Sequence, residues 1–260
     1  MGPESDPRSQ QVCARSWEEA RAGSHPGQGQ GLRRLGRIRR RGSVSIIDSV
    51  HKEGRKALAE NEVKEALREA GIPTTDFQVG KRFDQIDAKK LKFPVVMKVC
   101  SPDILHKTDV GGVVLDIPKD QFEQEFNKLS QKFPKENILV ESMQDRKVEV
   151  IVGLINDRTF GLTIMFGLGG IYTEVYKDVT FRVVPIRRQD AEEMLKEIKA
   201  APILEGFRKI KLDREAIINL LLAVSAFGEK HMEMLDQMDL NPVFVKTKGV
   251  IVVDAKMLLK

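Results

Sequence analysis

The order of secondary structure is set around residues 94–113, which read PVVMKVCSPDILHKTDVGGV. Pro94–Val99 is a short run of β-prone residues, and Gly112–Ile117 is a second one. The segment between them is polar and contains glycine, which is typical of a loop. The stretch therefore predicts two strands joined by a long loop.

Patterns on both sides of this unit alternate between helix and strand. Upstream, apolar residues recur at helical spacing over Val63–Ala70 and stop at Gly71, a residue that favours the left-handed end of a helix. Downstream, an amphipathic pattern over Phe122–Phe133 precedes a strand candidate at Ile138–Glu141. Further strands are predicted at 148–155, 161–166, 179–185, 242–245 and 250–253, and helices at 190–200 and 213–234. The pattern predicts the α/β class.

Lys98 is a cation inside an otherwise apolar predicted strand. Burying an ammonium group without an anionic partner costs on the order of several kcal/mol. We therefore expect an anion beside Lys98, and a nucleotide phosphate is one candidate. The alternative is a lysine at the edge of the sheet whose ammonium group reaches solvent.

The loop after this strand contains His106, Gly111 and Gly112. Glycines let a backbone approach a phosphate closely, and a histidine can act as the nucleophile that accepts a phosphoryl group. An exposed loop histidine without a chemical role is the commoner case. The loop is therefore a candidate phosphate-handling segment, and the two interpretations of His106 stay open.

A predicted C-terminal hairpin brings three oxygen-bearing side chains together. Asp239 and Asn241 enter its first strand and Asp254 leaves its second, with the turn at Lys246–Gly249. The two-residue period of a strand places Asp239 and Asn241 on one face. Carboxylate and amide oxygens suit Mg²⁺. The alternative is that these acidic residues are solvated or cap the ends of the strands.

A Gly-rich loop at residues 166–174 follows a predicted strand and ends at Glu174. It lacks the spacing of dinucleotide-binding or P-loop motifs, so it is a weak signal by itself. Its place in the chain adds to that signal, because it lies between the Lys98, His106 and Glu141 region and the C-terminal hairpin. Together these features predict a cleft between two α+β lobes.

Composition indicates a soluble protein. The chain has 260 residues, of which 41% are hydrophobic and 31% charged, and no apolar run approaches the roughly 20 residues of a membrane span. Its two cysteines, Cys13 and Cys100, are too few for a disulfide framework, and the N-terminal sequence lacks a signal-peptide pattern. We therefore expect a cytoplasmic location and no membrane contact.

Residues 1–43 differ in composition from the remainder. They contain 9 Arg, no Lys and 4 acidic residues, which accounts for the whole net charge of +5. Without a sustained apolar period, the segment predicts a disordered Arg- and Gly-rich extension. A nucleic-acid-binding module is the alternative, and the neutral remainder of the chain counts against it.

Three segments resemble one known family. Val96–Lys98, Ser101–Val113 and Met238–Pro242 are similar to the β subunit of ADP-forming acetyl-CoA synthetases, within the ADP-forming acyl-CoA synthetase superfamily. The resemblance extends over Ile46–Lys260. It implies an ATP-grasp fold of two subdomains, residues 44–140 and 141–260, with the nucleotide in the cleft between them.

The resemblance also implies a reaction. Acyl-CoA, ADP and phosphate are converted reversibly to a carboxylic acid, CoA and ATP, and a phosphoryl group passes between phosphohistidine and ADP with Mg²⁺ as cofactor. The family's CoA-binding domains and principal phosphohistidine lie on an α subunit. An α partner in a heterotetramer is therefore implied, and this chain alone is expected to be catalytically incomplete.

Residue roles follow from the same resemblance. Lys98 is implied to contact phosphate, and His106 to be a second, transient phosphoryl carrier. Glu174 is placed with these two as a catalytic candidate. The implied nucleotide-binding residues are Lys98, Glu141 at the adenine-side hinge, Gly111, Gly112 and Arg182. The implied Mg²⁺ ligands are Asn241 and Asp254, with Asp239 beside them.

Two related interpretations stay open. A succinyl- or malate-type CoA ligase β-like subunit shares the Asn-Pro hairpin but has a different lysine–glycine loop. A regulatory synthetase-like ATP-grasp domain of a protein acetyltransferase system would bind ligand without completing the chemistry.

Overall fold

The computed structural model describes residues 45–145, 148–170, 178–206 and 211–260. These residues form two lobes, each built on an antiparallel sheet. The expected mixture of helices and strands is therefore confirmed. Residues 1–43, expected to be a disordered extension, lie outside the described ranges.

The predicted helices and strands occur in the expected order, and the structure adds two helices and two strands that the sequence patterns did not predict. The helices are α1 (Ile46–Lys52), α2 (Glu60–Glu69), α3 (Phe122–Lys132), α4 (Arg188–Glu197), α5 (Ala201–Leu204) and α6 (Arg214–His231). The strands are β1 (Phe77–Gly80), β2 (Val95–Cys100), β3 (Val113–Ile117), β4 (Asn137–Ser142), β5 (Val148–Asp157), β6 (Gly161–Leu168), β7 (Val179–Val183), β8 (Leu235–Val245), β9 (Val250–Val252) and β10 (Ala255–Leu259).

The smaller lobe is a four-stranded sheet in the order β1-β4-β2-β3. Helix α3 covers one face with Phe122 and Phe126, which pack against Val95 and Met97 of β2. Because side chains alternate along a strand, Lys98 points to the opposite face. That face is turned toward the start of α2, where Ala59 contacts the sheet.

The larger lobe is a six-stranded sheet in the order β10-β8-β5-β6-β7, with β9 paired to β8. Its longest helix, α6, packs closely on this sheet. A Cβ atom at Gly228 would lie 2.8 Å from Leu154 Cδ1, so glycine there lets the helix approach the sheet closely without displacing that side chain. No helix within the described ranges is both long and apolar enough to cross a membrane.

Asp213 connects the start of α6 to the C-terminal hairpin. Its carboxylate accepts hydrogen bonds from Ala216 N at 3.0 Å, which caps the helix, and from Gly249 N at 2.7 Å, at the turn between β8 and β9. The turn position that the sequence predicts at Gly249 has a φ of +79°, which favours glycine. The helix therefore holds the hairpin in place.

The first two helices belong to the core of the larger lobe. Val63 and Leu67 of α2 are buried in the same apolar cluster as β5 and α6. The segment between α1 and α2 also runs beside β10, with Leu58 N donating to Met257 O at 3.2 Å. The expected division into residues 44–140 and 141–260 therefore needs a correction, because residues 46–72 pack on the larger lobe.

Candidate active site

A cavity of about 120 Å³ opens where the loop after β2 meets the hairpin of the larger lobe. Clefts that enclose a whole small ligand typically measure roughly 300–1,000 Å³. The enclosed part therefore suits a phosphate group and a metal ion rather than a complete nucleotide. Its polar lining consists of Glu60, Ser101, His106, Lys107, Gln237, Asp239, Asn241, Asp254 and Lys256.

Lys98 lies behind this cavity and is buried, with 5% exposure. Its ammonium group lies 2.8 Å from Glu60 Oε1 and 2.8 Å from Glu141 Oε1, and 3.5 Å from Asp254 Oδ1. Burial lowers the pKa of Lys98, but Glu141 and Glu60 raise it by more than burial lowers it, so the pKa lies well above its ordinary value. Lys98 therefore meets anions as expected, and these anions are the protein's own carboxylates. The alternative of a solvated edge lysine is wrong.

Lys98 is one member of a buried group of charges that crosses between the lobes. Lys64 Nζ lies 2.8 Å from Glu60 Oε1 and 2.6 Å from Glu141 Oε2, and donates to Thr75 Oγ1 at 2.8 Å. Three positive and three negative charges balance, and this pairing offsets part of the cost of removing them from water. We call this group the lysine–carboxylate network; its members are Glu60, Lys64, Lys98, Lys107, Glu141 and Asp254.

Sequence reasoning missed Glu60 and Lys64. Both are buried, with exposures of 4% and 0%, and they share one face of α2 with Val63 and Leu67. The sequence holds a signal that could have identified them: two opposite charges four residues apart on the apolar face of a helix indicate a buried ion pair, because buried charges need partners. The pKa of Glu60 is raised by burial and lowered more strongly by its three lysine neighbours, so it stays ionised.

Lys107 was also missed as a site residue, although it follows His106 directly. Its ammonium group lies 2.6 Å from Glu60 Oε2 and 2.8 Å from Asp254 Oδ1. Burial lowers the pKa of Lys107, but Asp254 and Glu60 raise it above the ordinary value. The pKa of Asp254 is raised by burial and by Glu60, and lowered in part by the two lysines. Of the three lysines in the network, Lys107 is the one that lines the cavity.

The C-terminal hairpin brings Asp239, Asn241 and Asp254 to one end of the cavity, as predicted. Asn241 N donates to Asp254 O at 3.2 Å, and Asp239 pairs with Lys256 across β8 and β10. Asp239 Oδ1 is buried and has no hydrogen-bond partner within the described ranges. Burial raises the pKa of Asp239 to about 6, with Asp254 adding to the rise and Lys256 opposing it.

These three side chains fit a magnesium ion that also binds phosphate. Mg²⁺ is usually held by one or two carboxylates, with water and substrate phosphates completing its coordination. The unpartnered buried oxygen of Asp239 suits a cation, and Asn241 and Asp254 offer further oxygens. Within the described ranges, no group of three or more Asp, Glu, His or Cys side chains is placed to hold a metal ion by itself. The donor set therefore fits a metal that arrives with a nucleotide.

His106 lies in the loop after β2, lines the cavity and is partly exposed. Burial and the nearby Lys256 lower the pKa of His106, while Asp109 raises it, and the net pKa lies below the ordinary value. The imidazole is therefore mostly neutral near pH 7. A neutral imidazole carries the nitrogen lone pair that a nucleophile needs.

Gly111 and Gly112 are explained by packing within the protein. Gly111 has a φ of +61°, which favours glycine, and a Cβ atom at Gly112 would lie 2.4 Å from Val99 Cγ1. Neither residue lines the cavity. Their expected contact with a nucleotide stays a prediction, and the structure gives a separate reason for glycine at both positions.

The remaining two candidates lie elsewhere or outside the described ranges. Arg182 lies on β7, at the edge of the larger sheet, where its guanidinium donates to Glu197 Oε2 at 3.0 Å and lies 3.6 Å from Glu193. It does not line the cavity. Glu174 falls in the segment 171–177, outside the described residues.

Comparison with known proteins places this geometry in a class. The sequence pattern of the ATP-grasp domain matches residues 49–259, so the chain belongs to the ATP-grasp family. It is 40% identical over 231 residues to the "Acetate--CoA ligase [ADP-forming] II subunit beta" of Pyrococcus furiosus, an alignment that covers 84% of this chain and 98% of that protein. Its homologues within the ATP-grasp proteins thus include two β subunits of ADP-forming acetate–CoA ligases.

Solved structures agree with this assignment. PH1788 from Pyrococcus horikoshii Ot3 superposes with a TM-score of 0.76 at 41% identity, over 83% of this chain and 96% of that chain. The dinucleotide-forming acetyl-coenzyme A synthetase 1 of Ca. Korarchaeum cryptofilum, in complex with coenzyme A and Mg-AMPPCP, superposes with a TM-score of 0.73 at 38% identity, over 83% and 98% of the two chains. The fold of the described residues is therefore that of the ADP-forming synthetases.

Proposed function

We propose that this chain is the nucleotide-binding β subunit of an ADP-forming acyl-CoA synthetase of the acetyl-CoA type. It transfers a phosphoryl group between phosphohistidine and ADP or ATP, in a reaction that converts acyl-CoA, ADP and phosphate to a carboxylic acid, CoA and ATP. One observation carries the proposal: a single cavity gathers a neutral histidine, a buried lysine and an Asp/Asn/Asp set. The 40% identity over 98% of a named β subunit supports it.

In this proposal Asp239, Asn241 and Asp254 hold a Mg²⁺ ion that neutralises phosphate charge. Phosphoryl transfer depends mostly on positioning and charge stabilisation, which these groups and the neighbouring lysines supply. Lys98 lies behind the cavity, held between Glu60 and Glu141 at 2.8 Å from each. Contact of Lys98 with the phosphate, of Glu141 with the adenine side and of Arg182 with the nucleotide stay predictions, as does the role of Glu174.

His106 is proposed as the transient phosphoryl carrier on this chain. Its neutral imidazole nitrogen forms a bond to phosphorus while the bond from the partner's phosphohistidine to phosphorus breaks. The phosphoryl group then passes to the terminal oxygen of ADP, which returns the imidazole to its starting form. The partly exposed position of His106 at the mouth of the cavity supports access for such a donor.

The partner is proposed to be an α subunit that carries the CoA-binding domains and the principal phosphohistidine, in a cytoplasmic heterotetramer. The naming of homologues as subunit beta supports a second subunit. In the Ca. Korarchaeum cryptofilum structure, a phosphohistidine segment points towards the nucleotide-binding site. A comparable segment of the partner would reach His106 from the open side of the cavity.

Calorimetric titration with Mg·ADP and Mg·ATP tests the nucleotide site. We expect wild type to bind both, and Asp254→Ala to weaken binding by about 10- to 100-fold, the effect of losing one charged interaction. Asp236→Ala is the matched control, because Asp236 lies on the same strand as Asp239 but is exposed, and it should bind like wild type.

Two outcomes would change the proposal. A folded wild-type chain that binds neither nucleotide, alone or with its α partner, contradicts it. Binding without ATP formation in the presence of the partner indicates a regulatory ATP-grasp domain instead.

A further inference from the structure

Lys107 occupies the position in the cavity that a cation bound to Asp254 would need. Its ammonium group lies 2.8 Å from Asp254 Oδ1 and 2.6 Å from Glu60 Oε2. The three residues come from distant parts of the chain: the start of α2, the loop after β2 and the connection between β9 and β10. An ammonium group held between two carboxylates is a built cation site whose occupant is the protein's own side chain.

An ammonium group and a magnesium ion compete for the same oxygen. Mg²⁺ binds carboxylate oxygens at about 2.0–2.1 Å and demands near-ideal octahedral geometry. With Lys107 at 2.8 Å from Oδ1 and Lys98 at 3.5 Å from the same atom, two positive charges already surround it. A divalent cation placed there as well is repelled at short range. Asp254 Oδ1 therefore has to exchange partners before that oxygen can bind a metal.

We propose that Lys107 is a positioning residue that holds Asp254 when no nucleotide is bound. When Mg·nucleotide binds, the Lys107 ammonium group leaves Asp254 for the polyphosphate and keeps its ion pair with Glu60. The inference rests on the proposed function, because it requires Mg·nucleotide in this cavity. The inference means that Lys107 and Glu60 set the order of ligand binding. The metal binds Asp254 only together with the nucleotide phosphate, not before it.

The contacts of the two lysines decide which of them moves. Lys98 keeps three partners without Asp254, namely Glu60, Glu141 and the carbonyl of Val253 at 2.9 Å. Lys107 has two carboxylate contacts, to Glu60 and Asp254, and lines the cavity. When Asp254 turns to a metal, Lys107 gains an unbalanced charge at the position where phosphate enters.

The test compares metal binding with metal–nucleotide binding in Lys107→Met. Removing the ammonium group leaves Asp254 available, so we expect Mn²⁺ alone, titrated by calorimetry or electron paramagnetic resonance, to bind more tightly than in wild type by about tenfold. Mg·ADP is expected to bind about tenfold more weakly, because a charged phosphate contact is lost. A general loss of structure would weaken both ligands and cannot produce opposite signs.

Two further variants sharpen the result. Lys132→Met is the matched control, because Lys132 also contacts this loop, through Gly111 O at 3.2 Å, but lies outside the network; it should change neither affinity. In Asp254→Asn, the addition of Lys107→Met should no longer tighten Mn²⁺ binding, since the released carboxylate is absent.

Affinities of Lys107→Met that change in the same direction, or not at all, overturn the inference while the proposed function stands. A folded wild type that fails to bind Mg·ADP overturns both. If Lys107→Met does not fold, crystal structures of wild type without ligand and with Mg·ADP decide. The distance from Lys107 Nζ to Asp254 Oδ1 should exceed hydrogen-bonding range in the complex, and an unchanged contact overturns the inference.

Discussion

The two sides of the cavity differ in how their charges are compensated. In the lysine–carboxylate network, Glu60, Glu141 and Asp254 each lie within 2.8 Å of a lysine ammonium group. On the hairpin side, Asp239 Oδ1 is buried and has no hydrogen-bond partner within the described ranges. Every network carboxylate has a lysine ammonium group beside it, although Glu141 Oε1 also lacks a hydrogen-bond partner within the described ranges, whereas Asp239 Oδ1 suits a cation from outside.

This difference separates stability from binding. Removing one member of a buried ion pair leaves the charge of the other member uncompensated, and this lowers the free energy of unfolding. An uncompensated buried carboxylate destabilises the native state, and sites of this kind are retained where function needs them. We therefore expect the loss of a network lysine to lower the free energy of unfolding, and the loss of the Asp239 carboxylate to raise it at neutral pH while weakening metal binding.

The largest effect on stability is expected for Lys98→Met. Its loss leaves Glu60 and Glu141 with one buried cation fewer between them, which should lower the free energy of unfolding by about 3–5 kcal/mol, measured by urea denaturation. Arg182→Met is the control, because its partner Glu197 is half-exposed and such pairs contribute about 1 kcal/mol or less. Equal decreases in the free energy of unfolding of the two variants would mean that the buried network stabilises the protein no more than a surface ion pair does.

An intermediate, pH-dependent effect is expected for Asp239→Asn. The pKa of Asp239 is raised to about 6 by burial, against about 3.9 in an unfolded chain. The folded protein therefore holds a proton that the unfolded chain has released. The contribution of this group to stability is fully present below about pH 4 and is lost as the pH rises through about 6.

In a metal-free buffer, Asp239→Asn and wild type should have similar unfolding free energies near pH 4. At pH 7 the variant should be more stable by on the order of 2–3 kcal/mol. Urea denaturation at several pH values between 4 and 7 measures the difference. A difference that stays constant across this range would mean that Asp239 is compensated like the network carboxylates.

The smallest effect on stability is expected for His106→Gln. His106 is partly exposed in a loop, so the free energy of unfolding should change by about 0.5 kcal/mol or less. ATP formation with the α partner should nevertheless be lost, because glutamine cannot accept a phosphoryl group. Full ATP synthesis by this variant would rule out the phosphoryl-carrier role.

The sequence predicted most of the secondary structure because the signals are local. Helical spacing identified α2, α3, α4 and α6, and the glycine at position 249 identified the turn of the hairpin. Helices α1 and α5 and strands β1 and β10 were missed. The four residues of β1 carry too short a pattern to distinguish it from a loop. The attachment of α1 and α2 to the larger lobe was also missed, since it depends on contacts with β10 such as Ala57 with Leu258, which are far apart in sequence.

The candidate site was predicted in part. The sequence identified Lys98 from its apolar surroundings and the Asp239, Asn241 and Asp254 group from the hairpin, because a strand pair brings its ends together. It did not identify Glu60, Lys64 or Lys107 as members of the site. Arg182 was associated with the site by its place in a family-like stretch, and the structure puts it on the outer strand β7.

The amino-acid sequence by itself determined the order of helices and strands, the approach of Asp254 to Asn241 and the need of Lys98 for an anion. These features depend on periodicity, on short turns and on the cost of burying a charge. Only the tertiary structure decided which anions Lys98 meets. Glu60 and Asp254 lie 38 and 156 residues from it in sequence, and such pairs form only when two lobes close around a shared set of buried charges.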